Sequence, residues 1–145
     1  MAGKSTTPGS LKRTLELRTS RRTELQDVTA EIAKVVRDSG CASGVCHLYV
    51  PHTTAGVLIN EGYDSDVSRD MEAAFDRLIP RKGDYKHSEG NSDSHIKTAL
   101  VGTSETVWIE DGRLALGQWQ KIFFAEFDGP RLRELNVRVV RDPEA

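Results

Sequence analysis

Asp111-Gly112, set between the runs ETVWIE and RLAL, is the tightest constraint on how this chain can fold. Two residues that tolerate positive backbone angles, placed between two strand-forming runs, specify a two-residue hairpin and hence antiparallel neighbours. KIFFAEF and LNVRVVR follow as further strands, separated by the turn residues Asp128-Gly129-Pro130. Hairpins concentrated in the late half leave no regular βαβ series for a parallel sheet.

The earlier half supplies the helices. The alternation in TLELR, from Thr14, predicts a first strand, and Leu25, Val28, Ile32, Val35 and Val36 then recur at helical spacing through to Arg37. Thr23 followed by Gln26 resembles a capping box at the start of that helix, and Gly40 can close its end. GVCHLYV and, after Pro51, TTAGVLIN read as two strands or as one bent at the proline. Asp64 or Ser65 can cap a second helix that carries Val67, Met71, Ala74, Phe75 and Leu78 on one face and stops at Pro80. Residues 81–91 have no period and form a long loop, and a short helix over Ser92 to Val101 ends at Gly102. The predicted order is β-α-β-β-α-α-β-β-β-β. It describes an α+β fold, a mostly antiparallel sheet with helices packed against it, in which residues 1–10 are a small, polar, disordered tail and residues 11–145 a single domain.

Composition removes several classes of function. With 20 basic and 22 acidic residues, a net charge of -2 gives no electrostatic case for nucleic acid. No apolar run approaches the roughly 20 residues of a membrane span, and MAGKSTTPGS lacks the apolar core of a signal peptide, so the expectation is a cytoplasmic protein without a membrane partner. Cys41 and Cys46 have no CxxC spacing, and Cys46, inside an apolar run, reads as a plain buried thiol.

The chemistry gathers on histidines and a few polar neighbours. His52 follows a proline at a strand edge in PHTTAG, and a regular strand would put Thr54 and Asn60 on its face. In HSEGNSDSH, His87 lies in the loop and His95 one turn into the helix, while Asn91 or Ser92 can cap that helix and its free N–H groups favour an anion. His47 shares a strand face with Val45 and Tyr49 and stays outside the site. Glu126 falls among apolar residues of KIFFAEF, where a carboxylate needs a cation, a metal or a proton; Arg131 is the nearby cation that suggests itself for a structural pair. Arg131 could equally fork onto a phosphate. Gln118 and Gln120 share the parity of Glu126, and Asn60 and Glu61 stand at a strand end. Asn60, Glu61, Asn91, Gln118, Gln120 and Arg131 are thus the candidate substrate-binding residues, and His52, His87, His95 and Glu126 the candidate catalytic ones.

Three segments, PHTTAGVLINEGYDSDV, HSEGNSDSHIKTALVG and IEDGRLALGQWQKIFFAEFDGPR, resemble the YjbQ-type family, often labelled secondary thiamine-phosphate synthases. The resemblance implies an α+β fold, a homotrimer and a site near the histidines that match His52, His87 and His95. It also implies an activity that joins hydroxymethylpyrimidine pyrophosphate to a thiazole phosphate. Two readings of the histidines stand side by side. Either they hold a divalent metal, zinc by their chemistry or magnesium by the substrate's, or they donate to the phosphates of small phosphorylated substrates. The alternatives to the synthase are a metal-dependent hydrolase and a non-catalytic module that binds a metal or a phosphorylated metabolite.

Overall fold

A computed structural model describes residues 10–143, so the expected tail lies, apart from Ser10, outside the described residues. In chain order the elements are β1 (Leu11–Arg18), β2 (Glu24–Asp27), α1 (Thr29–Ser39), β3 (Gly44–Tyr49), β4 (Ala55–Glu61) and α2 (Ser65–Leu78). They continue with α3 (Ser92–Val101), β5 (Ser104–Glu110), β6 (Arg113–Leu114), β7 (Gln120–Glu126) and β8 (Leu132–Arg141). The strands form two antiparallel sheets, one ordered β1-β8-β3-β5-β6 and the other β2-β7-β4, and the fold is α+β as the sequence predicts.

The larger sheet alternates cleanly. Leu17, Cys46, Leu48, Val107, Ile109, Leu135, Val137 and Val139 point inward and are buried, meeting Ile32, Val35 and Val36 of α1 and the face of the smaller sheet that carries Val57, Ile122 and Phe124. Its outer face leaves Tyr49, Trp108, Leu132 and Val140 exposed. The smaller sheet is covered on both sides. Behind it, Phe123, Ala125 and Phe127 pack with Leu25 and, from α2 and α3, with Met71, Phe75 and Val101; the Phe75 and Phe127 rings meet edge to face with centroids 5.4 Å apart. β7 is therefore buried almost continuously, the pattern of a strand between two layers.

The hairpin forms as its sequence requires, with φ of 51° at Asp111 and 75° at Gly112, although β6 is only two residues long. Gly40 closes α1 in the left-handed conformation, and Asp64 caps α2 by accepting from the Asp66 amide. The first helix is shorter than its periodicity suggests. Residues 24–27, which the periodicity assigns to α1, pair with β7 as a strand. The cause is local and tertiary together: the Asp27 carboxylate takes the Thr29 amide and hydroxyl at 3.0 and 2.7 Å, which turns the chain, and Leu25 is drawn into the cluster behind β7. The Thr23 and Gln26 capping box does not form; Thr23 instead donates to Asp76 at 2.9 Å.

GVCHLYV and TTAGVLIN become two strands in different sheets, so Pro51–Thr54 carries the chain across from one layer to the other. β4 then lies so close to the end of α3 that a Cβ on Gly56 would sit 2.3 Å from the Gly102 carbonyl oxygen, which the Val57 amide reaches at 3.2 Å. Only glycine permits this approach. It sets where α3, with Asn91 and His95 at its start, rests on the sheet.

Candidate functional site

Four pieces of chain meet where the crossover leaves β3: the crossover itself, the end of β7 with its turn, the first residues of β8 and the start of α3. They enclose a cavity of about 560 Å³ whose walls include His52, Asn91, His95, Asp128, Arg131 and Arg133. Tyr49, Pro51, Thr53, Thr54 and Glu89 also line it.

Glu126 does not line the cavity but anchors one of its walls. Its carboxylate is fully buried and accepts from Arg133 Nε at 2.8 Å, from Arg133 Nη2, from the Thr19 hydroxyl at 2.7 Å and from the Phe127 and Asp128 amides at 3.1 Å. So many donors leave it a structural anion. Its partner is Arg133, not Arg131 as its neighbourhood in sequence suggests, and a role as proton carrier has no geometric support here. The signal for the true pair was legible: Arg133 occupies the inward parity of β8 with Leu135, Val137 and Val139, so a cation was being buried just where a buried carboxylate needed one. Arg133 also donates from Nη2 to Thr54 Oγ1 at 2.8 Å, while its Nη1 has no partner among the described residues.

The turn after β7 is braced in a similar way. Arg131 donates from Nε to the Asp128 carbonyl at 2.8 Å and from Nη2 to the Asp128 carboxylate at 2.9 Å, and Asn91 Nδ2 donates to the same carboxylate oxygen at 2.9 Å. Nη1 of Arg131 likewise has no partner among the described residues, and the side chain is half exposed at the cavity mouth.

His52 is held by an unusual donor. The Glu134 amide gives its N–H to Nε2 at 2.9 Å, so that nitrogen is unprotonated and the neutral ring carries its proton on Nδ1. Burial, and then the Arg133 charge, push the His52 pKa below its ordinary value, which keeps the ring neutral. His95 lines the same cavity. His87 stands behind it, edge to face at 5.5 Å between centroids, with Nε2 3.6 Å from a Glu89 carboxylate oxygen, in a neighbouring hollow of about 530 Å³.

Beneath the start of α3 lies a charged network. Asp93, fully buried, receives both Nη groups of Arg22 at 3.0 and 3.1 Å and Nζ of Lys97, itself fully buried, at 3.0 Å; Lys97 also reaches Asp76 at 2.8 Å. Burial alone would raise the Asp93 pKa, but the hydrogen bonds from Arg22 and Lys97 outweigh it and hold the carboxyl below its ordinary value. With Ser94 Oγ donating to the Phe127 carbonyl at 2.6 Å, this network fixes α3 against the turn that carries Asp128 and Arg131.

Comparison with known proteins places this arrangement in a family. The profile described as UPF0047 protein YjbQ-like matches residues 13–142. The chain belongs to the YjbQ/UPF0047 family. It is 48% identical over 127 residues to the UPF0047 protein MJ1081 of Methanocaldococcus jannaschii, covering 88% of this chain and 92% of that one. It is 43% identical over 129 residues to the UPF0047 protein YugU of Bacillus subtilis, covering 88% and 98%. A crystal structure of a YjbQ/UPF0047 family protein from Clostridium acetobutylicum superposes with a TM-score of 0.87 at 46% identity, covering 88% of this chain and 99% of that one.

Within this YjbQ-family chain, several sequence-derived site residues lie elsewhere. Asn60 and Glu61 are at the far end of β4, opposite Lys121 and Gln120, whereas the cavity is at the end where Ala55 pairs with Glu126. Six residues of strand separate the two ends, about 20 Å. Asn60 Oδ1 accepts the Glu61 amide, the Glu61 carboxylate accepts the Asp64 amide, and Gln120 accepts from Gly117, all local bonds; Gln118 precedes β7 beside them and is exposed. The expected common face of His52 and Asn60 fails because the strand begins only at Ala55. Arg133 and Glu89 are cavity residues to which the sequence pattern gives no role.

The three histidines do not fit together as a metal site in this geometry. Nε2 of His52 is taken by the Glu134 amide and its Nδ1 carries the proton, His87 lines the adjoining hollow, and among the described residues no three His, Cys, Asp or Glu side chains converge as a ligand set. No helix among the described residues is long and apolar enough to cross a membrane.

Proposed function

We propose that the cavity seats the phosphoryl groups of small phosphorylated metabolites and that the chain has secondary thiamine-phosphate synthase activity. The observation that carries this reading is that Arg131 and Arg133 both line one cavity, each with an Nη1 that has no partner among the described residues, while Nε and Nη2 are held by Asp128 in the first and by Glu126 and Thr54 in the second. Guanidinium groups fixed in this way are pre-aimed hydrogen-bond donors, and the fork of an arginine suits phosphate oxygens. The neutral His52 adds an N–H donor of defined tautomer, and His95 supplies a second imidazole.

In the proposed reaction the thiazole nitrogen attacks the methylene carbon of hydroxymethylpyrimidine pyrophosphate. The carbon–oxygen bond breaks and pyrophosphate leaves with the electron pair. The charge developing on the departing oxygen is where Arg131 and Arg133 lower the barrier. The choice of substrates rests on the resemblance to the secondary thiamine-phosphate synthases, and the phosphoryl-binding role rests on the cavity.

Incubating the purified chain with both precursors tests the activity. Thiamine phosphate, formed in the wild type and reduced on the order of 100-fold in His95→Ala, is the expected result; free phosphate without thiamine phosphate would favour a hydrolase instead. We further propose a homotrimer. The exposed Tyr49, Trp108, Leu132 and Val140 on the outer sheet face support an assembly surface, and Tyr49 also borders the cavity. Sedimentation equilibrium should give three chain masses; a single chain mass at micromolar concentration would count against it.

A further inference from the structure

A second concavity, of about 650 Å³, lies on the outer face of the larger sheet. Strand register decides what stands in it. Lys12 of β1 pairs with Arg138 of β8, and Arg138 pairs with His47 of β3, so three basic side chains form one cross-strand row. All three are exposed and line the concavity. Like charges set directly opposite one another destabilise a sheet. Here nothing offsets them: the Lys12 and Arg138 side chains have no partner among the described residues, and no carboxylate is in the lining. Arg13, the other cation of the lining, is held by Asp38 at 2.7 Å. Glu16 and Glu134 pair with each other on the same face, four residues along the strands from Lys12 and Arg138, roughly 13 Å away. A row of uncompensated cations in a concave surface holds a potential that selects anions.

The next row on this face is Thr14, Asn136 and Tyr49, and the Thr14 hydroxyl donates to Asn136 Oδ1 at 2.8 Å. Tyr49 is about half exposed and also lines the cavity that holds Arg131 and Arg133. The two hollows therefore share a wall. His47 and Tyr49 are alternate residues of β3, about 7 Å apart on one face, a distance that a two-carbon ester arm spans. A phosphate on the basic row thus leaves a ring on such an arm beside Tyr49, at the border of the first cavity. Arg133 and Arg138 are five residues apart along β8, about 17 Å, too far to grip one phosphate together.

We infer that this groove seats a second phosphorylated substrate, a phosphomonoester joined by a short arm to a flat heterocycle, with its phosphate on Lys12, His47 and Arg138 and its ring against Tyr49. The inference rests on the phosphoryl-binding reading of the first cavity, where the pyrophosphate then sits. The thiazole phosphate of the proposed reaction has this form. Joining two phosphorylated substrates needs two anion seats with the reacting atoms between them, and the hollows meet at Tyr49. A neighbouring chain on this sheet face would roof the groove, so the test uses the protein in its assembled state.

Thiazole phosphate is titrated calorimetrically into protein already saturated with pyrophosphate, for the wild type, Lys12→Ala/Arg138→Ala and Tyr49→Ala. The wild type should bind it, and the double variant should bind it at least about tenfold more weakly. Tyr49→Ala should weaken it as well. Pyrophosphate alone should bind the double variant within about twofold of wild type, because charges that far apart are screened at 0.15 M salt, where the Debye length is about 8 Å. That titration also shows that the double variant is folded. Exclusion of thiazole phosphate by bound pyrophosphate, equal affinity of the wild type and the double variant for it, or a matching loss of pyrophosphate binding in the double variant would overturn the second seat and leave the first standing. Failure of pyrophosphate to bind the wild type would overturn the reading on which the inference rests.

Discussion

The two ends of the β4–β7 ladder are made from similar residues and put to different uses. At one end Glu126 is fully buried, tied to Arg133, Thr19 and two backbone amides, with Asp128, Arg131 and Asn91 braced just beyond it. At the other end Asn60, Glu61 and Gln120 satisfy themselves with their own neighbours, and Tyr63 and Trp119 stack edge to face at 5.9 Å while remaining exposed. Polar side chains occur at both ends. At the second, Lys121 alone reaches a distant partner, Asp27 at 3.3 Å, whereas at the first Glu126 and Asp128 are both held by distant residues, and such locking fixes donors in place before a ligand arrives. The first end is therefore the candidate site, and the second a solvated strand end.

The sharpest way to break this contrast is to remove one carboxylate at each end. Glu126→Gln strips the buried Arg133 of its counter-charge and should lower stability by about 3–5 kcal/mol, whereas Glu61→Gln should change it by less than about 1 kcal/mol. Urea melts of the two variants read this directly, and similar midpoints would remove the distinction.

A smaller effect tests the state of His52. Its pKa is lowered in the fold by burial and by Arg133, so between that value and the ordinary 6.5 the unfolded chain binds more protons than the folded one. Stability from this group is complete above pH 6.5 and is lost as pH falls through that value towards the lowered one. His52→Gln should flatten the decline of stability just below pH 6.5 relative to wild type; an unchanged decline would mean that His52 titrates normally.

Much of this was legible in sequence wherever local rules decided the outcome. Asp111-Gly112, Gly40 and Asp64 each did what their backbone preferences require. β2 was hidden because Leu25 continues the helical spacing of Val28 and Ile32, and the choice of strand comes from pairing with β7, a partner about 100 residues away. The same distance effect governs the site. His52, Asn91, His95 and Arg131 were named from their segments, and the fold brings them to one cavity. Strand parity marks Asn60, Gln118 and Gln120, and a place at a strand end marks Glu61; parity says on which face a residue lies but not at which end of the strand the site will be. The apolar neighbours of Glu126 mark a buried carboxylate in need of a cation, and the fold supplies one. The burial of Glu126 behind Arg133, which keeps it from the cavity, follows from the pairing of layers that parity alone does not specify.

The central claim, that the cavity with Arg131 and Arg133 is a phosphoryl-binding site, is tested most directly by calorimetric titration of pyrophosphate into the wild type, Arg131→Ala and Lys121→Ala. Lys121 serves as the control cation at the opposite end of β7. The account predicts one site per chain, weakened on the order of tenfold or more in Arg131→Ala and unchanged in Lys121→Ala. Equal binding by wild type and Arg131→Ala, or a loss confined to Lys121→Ala, would contradict it.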